Sequence, residues 1–216
     1  MMPTARRLLQ GALVSSAVTI VPALGNVEAL KVPPLWVLYC LGVLASVMQP
    51  AYNPLDKRAP PEDRGTAAQV IWSIYVVATA AVLEAVYWRY PGSLQFDATA
   101  GLALALMLTG LILRSWAVAT LGEYFTWYIT CSLGQPLVQR GPYRFLRHPG
   151  YAGALLTYCC GPLFLHSWVA SVLAIALLPA IFLRRIRVEE ALLLTTCGAE
   201  YADYRLRVRA LVPWVW

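Results

Sequence analysis

The chain has 216 residues, 59% of them hydrophobic and 13% charged, with a mean hydropathy of +0.60. Soluble domains carry about 25% charged residues, so this composition excludes an ordinary soluble domain and defines an all-α polytopic membrane protein. The formal charge of +6 comes from basic residues scattered between apolar spans, which sets nucleic acid aside as a partner and points to membrane orientation.

A helix that crosses about 30 Å of hydrocarbon needs about 20 apolar residues. Four runs have that length, namely Leu8 to Leu24, Pro34 to Tyr52, Ala67 to Trp88 and Ala98 to Leu121, and they predict four transmembrane helices. The first follows Arg6 and Arg7 as the h-region of a secretory signal would, with Ala23 and Gly25 as small residues for cleavage; we read it as a retained helix. Glu84 and Arg114 are the ionisable residues well inside these runs. Each lies near a helix end, which predicts snorkelling to the interface, a polar role inside the bundle being the alternative.

Tyr151 to Leu183 is too long for one ordinary span and is broken by Gly161, Pro162, His166 and Ser167. It predicts a C-terminal hairpin of two short helices, with His166 a turn residue and not a ligand. Beyond it, Arg184 to Trp216 reads as a charged helical tail outside the membrane. Gly198 ends its first helix, Ala199 to Arg209 form a short amphipathic one, and Trp214 and Trp216 suit a membrane interface. With a cytoplasmic N-terminus, 15 of the 17 basic residues fall on the cytoplasmic side, and only Lys31 and Arg89 lie outside. Both termini, and the loop between the fourth span and the hairpin, are therefore expected to be cytoplasmic. The five cysteines form no CxxC or Cys/His cluster and read as packing residues, against a disulfide framework or a zinc site. No polar linker divides the chain, so residues 1–216 make one membrane domain. In residues 1–97 no motif is legible; residues 98–216 carry the motifs.

The stretch Gln135 to Gly153, QPLVQRGPYRFLRHPGYAG, concentrates arginine, proline and glycine between segments almost free of charge. Proline and glycine hold its backbone out of helix and would leave amides free for an anionic or polar ligand. A rigid interfacial connector with arginines facing lipid phosphates explains the composition equally well. Arg185 and Glu189 are four residues apart and share a helix face. Spacing alone favours an exposed ion pair of little energetic weight.

GPYRFLRHPGYAG followed by RVEEALLLTTCGAEYADY and Pro213 resembles the isoprenylcysteine carboxyl methyltransferase family of integral-membrane, S-adenosylmethionine-dependent enzymes. The resemblance covers about Arg114 to Pro213 and includes RSWAVATLGEYF as a lead-in; Cys197 stands where the family often has Phe. It implies a 98–216 catalytic region in which loop and C-terminal helices enclose S-adenosylmethionine. By position, Gln135, Pro136, Leu137, Val138, Tyr143, His148, Pro149, Gly150 and Tyr151 would line the cofactor pocket, with Thr130 a contact whose register the spacing leaves open. Glu189 would close the pocket and Arg185 would face the acceptor.

Methyl transfer is an in-line displacement that requires alignment at about 3–3.5 Å. A carboxylate acceptor is already ionised and needs only an arginine to orient it bidentately. A phenol, alcohol or amine would need a base, for which His148 and Glu190 are weak candidates. The preferred acceptor is a carboxylate on an isoprenoid or similar apolar molecule, reached from the bilayer as a lipophilic small molecule or a lipidated substrate. N-methylation of a phospholipid amine, S-methylation of a small thiol, and a non-enzymatic membrane scaffold are the competing readings.

Overall fold

The computed structural model describes residues 4–49, 59–131 and 135–211; the expectations that rest on Lys57, Arg58, Pro213, Trp214 and Trp216 lie outside them. Among the described residues the regular structure is helical, with one isolated bridge, Leu146 to Arg209. Helix α1 (Thr4–Ser15) runs on through a π-helical turn, Ser16–Ile20, into Val21–Ala23. Helix α2 (Pro33–Met48) opens on two prolines, which suit a first turn whose amides lack helical partners. Helix α3 (Thr66–Leu83) continues through a π-helical turn, Glu84–Trp88. Helix α4 (Ala98–Leu121) is capped by Asp97, whose carboxylate accepts from the Ala100 amide at 2.8 Å. Helices α5 (Pro149–Phe164) and α6 (Trp168–Arg207) complete the bundle.

Among the described residues three helices are long and apolar enough to cross a membrane: Thr66–Trp88, Ala98–Tyr124 and Trp168–Arg207. Pro33–Met48 is apolar but only 16 residues long. The expected hairpin is present, with its turn at His166 in the left-handed region (φ 52°). Its second arm is not short, because the helix runs unbroken from the hairpin into the charged tail as far as Gly198. There φ 54° and ψ −126° break it, and the remainder extends to Arg207.

The expectation for Glu84 and Arg114 is corrected: neither snorkels, and both are buried. The Glu84 carboxylate accepts from the amides of Val169 and Ala170 at 3.1 and 2.8 Å and from Arg89 Nε at 2.6 Å. A side chain of α3 thus caps the first turn of α6, supplying acceptors where four amides lack them. Ser167 Oγ donates to Ala81 O at 2.7 Å and ties the same turn to α3.

Backbones approach closely at two helix crossings. On α1 and α2 the small residues Gly11, Ser15, Gly42 and Ser46 interlock, so that a Cβ on Gly42 would lie 2.5 Å from Ser15 Oγ. Between α4 and α5 the contact is backbone on backbone. A Cβ on Gly110 would lie 2.5 Å from Gly153 O, and one on Gly153 would lie 2.5 Å from Gly110 O and 2.8 Å from Arg114 N. This crossing sets α5 against the turn of α4 that carries Arg114. Gly153→Ala is expected to destabilise the protein by about 1–3 kcal/mol through overpacking, read as a lower thermal midpoint in detergent. Gly101→Ala, where an added Cβ meets nothing within 4 Å, serves as the matched control and should not lower it.

Candidate active site

Gln135, Pro136, Leu137, Val138, Tyr143, His148, Gly150, Tyr151, Arg185 and Glu189 line one cavity, and Thr130 joins them. Pro149 is not in its wall; it is the first residue of α5, where a missing N–H costs nothing. Gly141, at φ 59°, lets the incoming loop pass against α4, since a Cβ there would stand 2.9 Å from Thr120 Oγ1.

Several of the loop amides expected to be free are taken. Arg147 N donates to Arg209 O at 2.7 Å and His148 N to Ala210 O at 3.0 Å, while Tyr151 N and Ala152 N both turn back to His148 O. The tail therefore finishes the loop: Arg147 Nη1 donates to Val208 O, and the Tyr204 hydroxyl donates to Tyr143 O at 2.6 Å. Side chains, more than loop amides, face the cavity. Burial pushes the Tyr143 phenol above its ordinary value, with the Glu189 carboxylate adding to the effect, so it stays neutral.

Arg185 and Glu189 are not an exposed ion pair. Tyr151 joins them: Arg185 Nε donates to its hydroxyl at 2.8 Å, and that hydroxyl donates to Glu189 Oε2 at 2.5 Å. Arg185 Nη1 donates to Asp63 Oδ1 at 3.0 Å and Thr66 Oγ1 at 2.8 Å, and Nη2 to Trp127 O at 2.6 Å. Of the five N–H donors of an arginine, the protein itself takes four here. The two-pronged grip on an acceptor carboxylate expected of Arg185 is therefore not available in this arrangement.

Asp63 went unrecognised in the sequence, although an Asp just ahead of an apolar run is a helix-start signal. It is 0% exposed. Beyond Arg185 its carboxylate accepts from Thr66 Oγ1, from Ala67 N and from Ile129 N, the last two at 3.0 Å. Burial alone would raise its pKa, but the Ala67 and Ile129 amides and the Arg185 charge outweigh burial and hold the carboxyl below the usual range. One side chain thereby joins the start of α3, the segment entering the loop, and α6.

Glu190, in the sequence only a weak candidate for a base, is buried. Arg147 Nη2 lies 2.8 Å and His148 Nε2 3.1 Å from its Oε1. An ionised carboxylate only accepts, so His148 donates from Nε2; its ring stacks on Tyr151 at 5.5 Å. Tyr201, also in the wall, is 1% exposed, and its hydroxyl makes no hydrogen bond of ordinary geometry, although Glu190 is near enough to act on it.

Arg114 lines the cavity from α4. Its Nε donates to Gln49 Oε1 at 2.7 Å and Nη1 to Gly150 O at 3.0 Å, and its guanidinium lies over the Trp127 ring at 5.3 Å. A second, more apolar cavity lies among α1, α2, α3, α4 and α5, and shares Ile71, Ile74, Trp127 and Tyr158 with the first.

Apolar helices of spanning length closed around a cavity with ion pairs in its wall define an integral membrane protein with an internal ligand site. The profile of the isoprenylcysteine carboxyl methyltransferase (ICMT) family matches residues 103–195. The protein-S-isoprenylcysteine O-methyltransferase of Tribolium castaneum is 29% identical over 139 residues, 58% of this chain and 46% of that protein. Protein-S-isoprenylcysteine O-methyltransferase A of Arabidopsis thaliana is 31% identical over 128 residues, 58% of this chain and 65% of that protein. A probable enzyme of the same name from Oryza sativa subsp. indica is 32% identical over 114 residues, 52% and 60% of the two chains. The chain thus spans between about half and two thirds of these relatives. A solved structure of the eukaryotic intramembrane Ras methyltransferase ICMT aligns over 100% of this chain and 99% of its own, with TM-score 0.60 and 19% identity, a likeness of fold.

Asp63→Asn should cost about 3–5 kcal/mol, because it leaves the buried Arg185 charge without its counter-ion, and the thermal midpoint should fall accordingly. The folded value of the Asp63 carboxyl is depressed, so its stabilisation is complete above the unfolded value of about 3.9. It is lost as pH falls through the lower folded value. Acid unfolding curves of wild type and variant should therefore converge at low pH.

Proposed function

We propose that the chain is an S-adenosylmethionine-dependent methyltransferase whose acceptor is a carboxylate on a prenylated cysteine or similar lipophilic molecule. The observation that carries this reading is the convergence of the loop Gln135–Val138, the His148–Tyr151 turn and the Arg185–Glu189 face on one cavity. The names of the relatives, protein-S-isoprenylcysteine O-methyltransferases, point the same way.

The donor set fits the cofactor. Glu189 supplies a carboxylate, Tyr201 a buried hydroxyl near Glu190, and Tyr143, Trp127 and Tyr158 supply aromatic faces. Carboxylate and π-faces suit a sulfonium cation. When bound, S-adenosylmethionine supplies an electrophilic methyl, which the acceptor oxygen takes in line while the C–S bonding pair stays on sulfur. Tyr151 holds Glu189 and Arg185 in register, and the Arg147–Glu190–His148 cluster keeps that wall rigid. Arg185 has one donor left for the acceptor. An ionised carboxylate needs no proton removed, so neither His148 nor Glu190 acts as a base in this reaction. The apolar cavity beside the first accommodates a hydrocarbon tail, which supports a lipophilic acceptor drawn from the bilayer. The distribution of basic residues supports a cytoplasmic site and cytoplasmic termini.

Calorimetry with S-adenosylhomocysteine on the detergent-purified protein tests the cofactor site. Saturable binding, weakened about tenfold or more by Glu189→Ala, is the expected result; absence of binding by folded wild-type protein removes the methyltransferase reading. With N-acetyl-S-farnesyl-L-cysteine as acceptor, kcat/KM should stay within about twofold between about pH 6.5 and 8.5, because no essential base titrates there. A steep rise across that range would indicate an acceptor that must lose a proton.

A further inference from the structure

We propose that Cys131 and Cys197 are a redox-responsive dithiol in the wall of the loop-side cavity, and that the disulfide they form ties the segment entering the loop to α6 and slows ligand exchange. The effect on exchange rests on the methyltransferase reading; formation of the disulfide does not.

Helical spacing brings the pair to one place. Arg185, Glu189, Leu193 and Cys197 follow one another at intervals of four on α6, share a face, and all line the cavity. The segment from Trp127 to Cys131 lines it as well. Its first end is held at Arg185, which donates to Trp127 O at 2.6 Å, and its middle at Asp63, which accepts from Ile129 N at 3.0 Å. Its last residue meets the far end of the same helix face, where the side chains of Cys131 and Cys197 are hydrogen-bonded to each other. From residue 185 to 197 a helix rises about 18 Å, and from 127 to 131 an extended chain covers about 13 Å; side chains make up the difference. The segment is therefore a strap laid along α6, with a guanidinium anchor at one end and a thiol pair at the other.

Neither cysteine is in a disulfide, and both are half-buried, whereas Cys160 is buried within α5 and Cys40 is exposed on α2. Bond formation requires the two sulfurs to close from hydrogen-bonding contact to about 2.05 Å. The backbone beside Cys197 has the freedom to allow it, since Gly198 breaks the helix at φ 54° and an added Cβ there meets nothing within 4 Å. The oxidant is a low-molecular-weight disulfide. One cysteine, as thiolate, attacks a sulfur of that disulfide, and a mixed disulfide forms as one small thiolate leaves. The other cysteine gives up its proton and attacks the sulfur of the first; the protein S–S bond forms and the second small thiolate leaves. The protein loses two electrons and two protons, and the small disulfide takes up both as two thiols. Cytosolic thiols are kept reduced, so on the cytoplasmic side proposed for the site the dithiol is the resting form and the disulfide the response.

The test uses full-length protein in detergent, treated with oxidised glutathione, alkylated and digested for mass spectrometry. Association and dissociation of S-adenosylhomocysteine are followed by surface plasmon resonance before and after treatment. The peptides that carry Cys131 and Cys197 should be recovered linked, and both rates should fall about tenfold or more, as for closure of a lid; dithiothreitol should reverse both changes. Cys131→Ser and Cys197→Ser, each compared with itself, should show rates within about twofold of one another with and without oxidant, and Cys40→Ser should respond as wild type does. Recovery of the two peptides unlinked overturns the dithiol. Linked peptides with unchanged rates overturn its control of exchange, and so does slowing that persists in the serine variants. Where one serine variant does not fold, the other decides. If reduced, folded wild type binds no S-adenosylhomocysteine, the methyltransferase reading falls and the effect on exchange with it, while the linkage still decides for or against the dithiol.

Discussion

The backbone contact of Gly110 with Gly153 is the constraint on which the site depends. Two helices can approach this closely only where neither carries a Cβ, and the approach brings the turn of α4 that holds Arg114 against the first turn of α5. Gly150 O then becomes an acceptor for Arg114, and Tyr151, one residue further, faces α6. A looser crossing would leave the same side chains present and their geometry lost. In a bilayer, where lipid tails are as apolar as the helices, such close packing and the polar contacts it permits are the available sources of association.

The buried charges divide into those that build and those that remain open. Glu84 ends the amides of α6 and Asp63 gathers three segments around Arg185, so each carboxylate satisfies several donors at once. Arg147, His148 and Glu190 form a third such group. Full satisfaction is what makes a buried polar network rigid. Against that background, among the described residues, two groups of one cavity stand out: the Arg114 guanidinium pairs with no carboxylate, and the Tyr201 hydroxyl makes no hydrogen bond of ordinary geometry.

Local signals in the sequence translated well and distant ones did not. Gly198 and the break around His166 and Ser167 were legible because glycine and short polar residues interrupt an apolar run, and the backbone indeed departs from helix there. The shared face of Arg185 and Glu189 followed from helical spacing, but the Tyr151 bridge between them spans more than thirty residues and leaves no local trace. Glu84 was misread for the same reason. A carboxylate near a helix end looks ready to reach water, and only the tertiary structure reveals the helix start 85 residues later that it caps. The loop amides were expected to be open because proline and glycine exclude helix; what composition could not disclose was that residues 209 and 210 return to take two of them.

That return of the chain has a consequence for biosynthesis. The carbonyls that hold the amides of Arg147 and His148 belong to Arg209 and Ala210, which leave the ribosome about sixty residues after the loop they complete. They follow the end of α6 at Arg207 by two and three residues. The loop is therefore held from both sides only once the last helix is itself complete, so the final helix and the cavity wall are finished together.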